Sequence, residues 1–224
     1  MHPFLQPHIL LRAYASGLFP MAEPTGRIYW YSPDPRAVIF PQQCQMPRTA
    51  VAFARSSPFQ IRLDTAFERV IYACSRRPEG SWINDDIMEA YCKLRDWGFA
   101  HSVEAWQGGE LVGGLYGVSL AGVFFGESMF HTASGASKHA LVWLIDRCRQ
   151  AGYHMLDVQW LTPHLQLYAA REIPRKTYLR NLEAALQHPT CFLRRHEVPP
   201  DWIIWYRQPA EAVRERRLSG RSWK

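Results

Sequence analysis

The sequence has no uninterrupted apolar stretch of the ~18 residues that a membrane-spanning helix needs. Its opening, "MHPFLQPHILLRAYASG", lacks the basic segment and continuous apolar run of an export signal. Neither membrane insertion nor export is expected, and the reading places the chain in the cytoplasm. Five scattered cysteines (Cys44, Cys74, Cys92, Cys148 and Cys191) form no CxxC pair and no Cys/His cluster with metal-ligand spacing. They read as reduced thiols. His101, His131, His139, His154 and His164 show no repeated ligand interval, a Walker motif and GxGxxG are absent, and there is no nucleophile elbow. Internal repeats and low-complexity segments are absent too. What is present is 47% hydrophobic content in 224 residues, enough for a sizeable core. A net charge of +6 and a pI of about 9.2 raise the odds of a polyanionic partner without identifying one.

The periodicity predicts a short helix over His8–Ser16, ended by Gly17, and then an irregular, proline- and aromatic-rich segment through residue 36. A strand "AVIFP", a helix in "RTAVAFARSSP" and an alternating strand "FQIRLD" follow. Helical spacing returns in "TAFERVIYACSRR" and "SWINDDIMEAYCKLRDWG", the latter capped by Asn84 or Asp85 and stopped by Gly98. From Ala100 the period is two, giving an antiparallel meander of three strands. A helix over Ala136–Gln150, a strand "HMLDVQWL", a helix over Pro174–Leu186 and a strand-like end "CFLRR" complete an α+β sheet with helices on its faces. The last residues form a basic tail.

Two carboxylates stand in apolar strands: Glu127 in "GVFFGESMF" and Asp157 in "MLDVQW". A bare buried carboxylate is costly unless paired, so each is either satisfied by an arginine or backbone amide or serves a site. Alternation puts Asp157 and Gln159 on one face, directed into one place. Leu115, Phe124, Phe125 and Met129 are either ordinary core or the wall of an apolar pocket beside those groups. The loop "HTASGASK" enters a helix N-terminus, where free amides favour anions. No reaction follows from these residues alone.

The strings "LLRAYASGLFPMAE", "WYSPDPRAVIF", "SWINDDIMEAYCKLRDWGFAHSVEAW", "ELVGGLYGV", "FFGESMF", "ASKHALVWLI", "LDVQWLTPHL" and "AREIPRKTYL" resemble, in order and spacing, the leucyl/phenylalanyl-tRNA–protein transferases over roughly residues 10–182. The resemblance implies an enzyme that moves Leu or Phe, and less well Met, from aminoacyl-tRNA to the N-terminal Arg or Lys of a protein, marking it for N-end rule degradation. It implies a GCN5-related N-acetyltransferase-like (GNAT) main domain over residues 35–205, a small N-terminal domain over 1–34 and a basic tail over 206–224. No coenzyme or metal is implied, and the chain is taken as a monomer. By motif, Asp157 and Gln159 fall at the reaction centre, with the aspartate orienting or deprotonating the incoming amine directly or through Gln159. Glu127 falls near the aminoacyl end, facing an ammonium. Leu115, Phe124, Leu144, Cys148 and Leu156 would line the side-chain pocket, and Trp82, Tyr14, Tyr91 and Met21 would lie at the terminal adenosine. Arg48 and Arg55 would meet the tRNA backbone.

The chain departs from the family pattern at several of these positions. Met21 replaces a tryptophan after "FP", and a Gly-Gly-containing N-terminal stretch is missing. The basic helix before "SSPF" is thinned to Arg48 and Arg55, and Leu144 and Cys148 stand where phenylalanines are usual. An acyl-CoA-dependent N-acetyltransferase and a non-catalytic RNA-binding module are the alternatives. The first is disfavoured by the absence of a pyrophosphate loop in "HTASGASK", the second by the joint presence of Glu127, Asp157 and Gln159.

Overall fold

The computed structural model describes residues 3–78 and 80–192. In chain order its elements are α1 (Pro7–Ala15), β1 (Phe19–Ala22), β2 (Ile28–Tyr31), β3 (Arg36–Ile39), α2 (Arg48–Ser56), β4 (Gln60–Leu63), α3 (Phe67–Ser75) and α4 (Asp85–Asp96). The second half contains β5 (Ala100–Gln107), β6 (Glu110–Leu120), β7 (Val123–His131), α5 (Ala136–Ala151), β8 (Met155–Gln159), α6 (Pro163–Gln166), β9 (Arg171–Ile173) and α7 (Arg175–Leu186).

A seven-stranded mixed sheet runs in the order β4-β5-β6-β7-β8-β3-β9. The expected meander β5-β6-β7 is its centre, extended by β4 on one side. Only β7 and β8 pair in parallel among these strands; the other ladders are antiparallel. The crossover between β7 and β8 is α5, as a parallel connection requires. Successive glycines on β6 show how the layers sit. A Cβ on Gly113 would meet Ala136 of α5, and one on Gly114 would lie 3.5 Å from Val70 of α3, so these helices cover opposite faces. Tyr14 of α1 packs on Phe125, and Tyr91 of α4 packs on Tyr116, on the α3 side. Asn84 caps α4 by accepting the Ile87 amide at 3.0 Å.

Three sequence expectations change. The segment read as irregular contains a two-stranded antiparallel sheet, β1 with β2, pairing Phe19 with Tyr31 and Ala22 with Ile28. Its short strands alternate too weakly to be seen as such, and Gly26 turns the hairpin with a φ of +82°. The three-residue edge strand β9 also went unread, because so short a run carries no period. Of the strand-like "CFLRR", Cys191 and Phe192 are not in a strand, and its remainder, with the basic tail, lies outside the described residues.

Candidate active site

The parallel ladder of β7 and β8 ends at the pair Phe125 and Asp157. Both strands bulge just beyond that point. On β7, Gly117 faces Gly126 while Tyr116 faces Ser128, which leaves Glu127 as the extra residue. On β8, Val38 faces Asp157 while Ala37 faces Gln159, which leaves Val158 as the extra residue. A bulge bends its strand and re-aims the following side chains, so two bulges side by side part the strands. A cavity of about 340 Å³ opens in the gap.

One part of its wall is apolar: Leu115, Met129, Leu141, Leu144, Leu156 and Leu165. Another part carries Glu127, Gln159, Tyr116 and Ser128, and Met21, Trp82, Arg77 and Trp160 also line it. Of the residues assigned by resemblance to a side-chain pocket, Leu115, Leu144 and Leu156 are in the lining. Phe124 and Cys148 are not; both are wholly buried, and Phe124 packs on Tyr153 and Phe192. Both residues lie in the core rather than against the cavity.

The alternation that was to send Asp157 and Gln159 to one place is broken by the bulge at Val158 and by the left-handed Gln159, whose φ is +58°. Gln159 lines the cavity. Asp157 does not: it is completely buried and clamped by Arg36, whose Nε donates to Oδ1 at 2.9 Å and whose terminal nitrogen donates to Oδ2 at 2.7 Å. The Tyr178 hydroxyl donates to Oδ2 at 2.7 Å, and the Gln159 amide to Oδ1 at 3.0 Å. Asp157 therefore has no lone pair directed at a ligand, and it holds the backbone of the residue that does reach the cavity. Arg36 itself lies between the rings of Phe19 and Tyr178, at 4.7 and 4.6 Å from their centroids, and donates to the Gly17 carbonyl at 3.3 Å. The N-terminal segment is thus tied to β8 through one buried guanidinium.

Tyr14 and Tyr91 are likewise wholly buried and present no ring to the cavity. Their hydroxyls meet each other and hold Glu127: Tyr14 donates to Oε1 at 2.6 Å and Tyr91 to Oε2 at 3.2 Å. Burial first, and the Glu127 charge second, push both phenols well above their usual pKa, so they stay donors. Glu127 is part-buried by exposed area, yet the protein around its carboxyl raises its pKa to about 7. Burial is the main cause; the Tyr14 bond opposes it, and the nearby Asp157 charge adds to it. Arg48 and Arg55 stand exposed on α2, which buries no residue of its own.

Sequence reasoning passed over Arg36, Tyr178, Tyr116 and Ser128. The strand "RAVI" is buried throughout, and an arginine opening it was the available signal. Among the described residues no three His, Cys, Asp or Glu side chains are placed to hold a metal, and no helix is long and apolar enough to cross a membrane.

Residues 38–183 match the family model described as leucyl/phenylalanyl-tRNA protein transferase, and residues 5–34 match the model of that family's N-terminal domain. The chain is 50% identical over 189 residues to the leucyl/phenylalanyl-tRNA–protein transferase of Herpetosiphon aurantiacus, covering 84% of this chain and 98% of that one. It is 49% identical over 189 residues to the protein of the same description from Gloeobacter violaceus, covering 84% and 97%. The match to that from Akkermansia muciniphila is 48% over 191 residues, covering 84% and 99%.

Proposed function

This chain belongs to the leucyl/phenylalanyl-tRNA–protein transferase family, and from that premise we propose that it transfers Leu or Phe, and less well Met, from aminoacyl-tRNA to proteins whose N-terminal residue is Arg or Lys. The product would enter N-end rule degradation. The observation that carries the reading is one cavity joining an apolar slot to a carboxylate and an amide donor, the two halves of an amino acid presented as an ester. The parting of two parallel strands at that cavity supports a GNAT-like main domain, with residues 1–34 as the smaller N-terminal one.

The reaction is ester aminolysis. A neutral α-amine adds to the ester carbonyl carbon, the C–N bond forms, the bond to the ribose oxygen breaks, and the amine proton ends on that oxygen. The ester is already activated, so positioning supplies much of the rate, about 7–11 kcal/mol in well-oriented cases. Leu115, Leu144 and Leu156 take the transferred side chain, and a narrow slot rejects a methyl at β. Glu127 pairs with the aminoacyl ammonium, a charge-assisted contact. Gln159 donates through Nε2 to the ester carbonyl as it gains charge. Asp157, with its lone pairs taken by Arg36, Tyr178 and the Gln159 amide, positions Gln159 and is not itself the base. The departing ribose oxygen takes the proton. Trp82 and Met21 flank the terminal adenine, while Tyr14 and Tyr91 fix Glu127. Arg48 and Arg55 meet the tRNA backbone, where each phosphate neutralised makes binding more salt-sensitive.

The test is incubation with radiolabelled leucyl- or phenylalanyl-tRNA and peptides beginning with Arg, Lys or Ala. Label on the Arg and Lys peptides alone supports the reading. No transfer to any peptide would sink it, and acetylation from an acyl-CoA under the same conditions would replace it.

A further inference from the structure

Among the described residues, four buried polar atoms that lack a hydrogen-bond partner in the protein gather in one place. The Tyr116 hydroxyl, the Ser128 hydroxyl, Gln159 Nε2 and His164 Nε2 are all of this kind, and all four residues line the same cavity. Beside the Ser128 hydroxyl stands the Cys74 thiol, a weak hydrogen-bond partner. Native proteins leave few such atoms, because each costs desolvation with nothing in return. Four around one cavity mark bonding capacity kept for a ligand.

Gln159 already has a role. Tyr116 and Ser128 do not, and they face each other across β6 and β7 immediately beside the Glu127 bulge. Tyr116 is completely buried, its ring held edge-on by Phe67 and Tyr91 with centroids at 5.8 and 5.5 Å, so its hydroxyl is fixed in place. A hydroxyl both donates and accepts. A ligand ammonium only donates and an ester carbonyl only accepts, so neither uses both capacities; another hydroxyl does. In an aminoacyl nucleoside that group is on the sugar, which lies between the base and the amino acid. Ser128 adjoins Glu127, in a cavity that also holds Trp82 and the leucine slot.

We propose that Tyr116 and Ser128 form a ribose subsite, hydrogen-bonding the 2′-hydroxyl of the terminal nucleoside and so selecting an RNA end over a deoxy end. This rests on the transferase reading. The probes are 3′-phenylalanylamido-3′-deoxyadenosine, which no amine can consume, and its counterpart lacking the 2′-hydroxyl. Their binding is measured by calorimetry on the full chain carrying Tyr116→Phe, Ser128→Ala or neither. Each substitution should weaken the 2′-hydroxyl probe about three- to tenfold, the worth of one net hydrogen bond, and leave the deoxy probe within about twofold. The thermal midpoint of Tyr116→Phe should not fall, because that hydroxyl bonds no other group of the protein. Tyr153→Phe is the contrast, since its hydroxyl lies 2.6 Å from the Ser119 hydroxyl and its loss should lower the midpoint. Equal weakening of both probes, no weakening of either, or a midpoint drop in Tyr116→Phe matching Tyr153→Phe would overturn the subsite. If the unmodified protein binds both probes alike, the subsite alone falls; if it binds neither, the transferase reading falls with it.

Discussion

Replacing Glu127 with Gln should make the protein more stable, and by an amount that depends on pH. In the folded protein the carboxyl has a pKa raised from the ordinary 4.5 to about 7, chiefly by burial. Between those values the native state keeps a proton that the unfolded chain releases. Stability then falls as pH rises, because the native state binds more protons than the unfolded one. The carboxyl contributes fully below pH 4.5 and loses that contribution progressively up to about 7. At about 1.4 kcal/mol per pH unit across that window, trimmed for the part of the group open to the cavity, the loss is about 2–3 kcal/mol. Glutamine fills nearly the same volume and does not titrate. Its oxygen accepts from Tyr14, and its amide nitrogen donates to the Tyr91 oxygen, so both tyrosine contacts persist. The assay is urea unfolding of both proteins from pH 4.5 to 8.5, with the stability difference plotted against pH so that other titrating groups cancel. The variant should gain about 2–3 kcal/mol on the wild type across the window and nothing further above pH 8. A flat difference, or one whose slope has the opposite sign, would refute the account of Glu127 as a desolvated carboxyl held near neutrality.

Asp157→Asn strands the Arg36 guanidinium and should destabilise the fold by about 3–5 kcal/mol while lowering kcat far more than it raises KM for aminoacyl-tRNA. The paired change Arg36→Met with Asp157→Leu should recover part of that stability by removing both charges, although the Tyr178 hydroxyl and the Gln159 amide lose their acceptor, and should leave turnover low; recovery of activity with stability would show that Asp157 matters only for folding. Leu144→Phe narrows the slot beside Leu156 and should shift the Phe-to-Leu preference in kcat/KM toward Leu by about tenfold in a competition between the two aminoacyl-tRNAs. An unchanged ratio would mean that Leu144 does not touch the transferred side chain.

The longer helices and the central meander were legible because each repeats a period long enough to register, as α4 does with Ile87, Tyr91 and Leu94 buried at helical spacing behind an asparagine cap; the four-residue α6 has no such period and went unread. The site was legible only in its residue types. Its geometry depends on two bulges, and a bulge is one residue out of phase, which alternation reads as in phase. That is why Asp157 and Gln159 were sent to one place; Phe124 was assigned to the wall by resemblance, and its residue type alone does not separate core from cavity. The N-terminal hairpin escaped for a related reason: four-residue strands of Phe, Tyr and Trp look like sticky loop until their cross-strand pairing is seen. The partner of Asp157 was anticipated in kind, an arginine, but lies 121 positions away, a pairing that no local pattern encodes.

Three buried or part-buried carboxylates in this sheet allow structural and functional groups to be separated by one criterion, whether the acceptor sites are filled. Glu104 is completely buried on β5. It takes the Ala66 amide at 2.7 Å, the Ser102 hydroxyl at 2.8 Å and the Trp106 indole at 3.0 Å, together with the Thr65 hydroxyl, and no ligand is left to recognise. Asp157 is filled as completely, but one of its donors is the backbone of a cavity residue, so its influence passes through Gln159. Among the described residues Glu127 is held by two phenols alone, and it still faces the cavity. A carboxylate so placed is undercompensated in the free protein, and an ammonium arriving from the cavity supplies the missing charge. Binding of an aminoacyl ester should therefore lower the Glu127 pKa. The pH dependence of stability described above should then flatten when the amide-linked probe is bound.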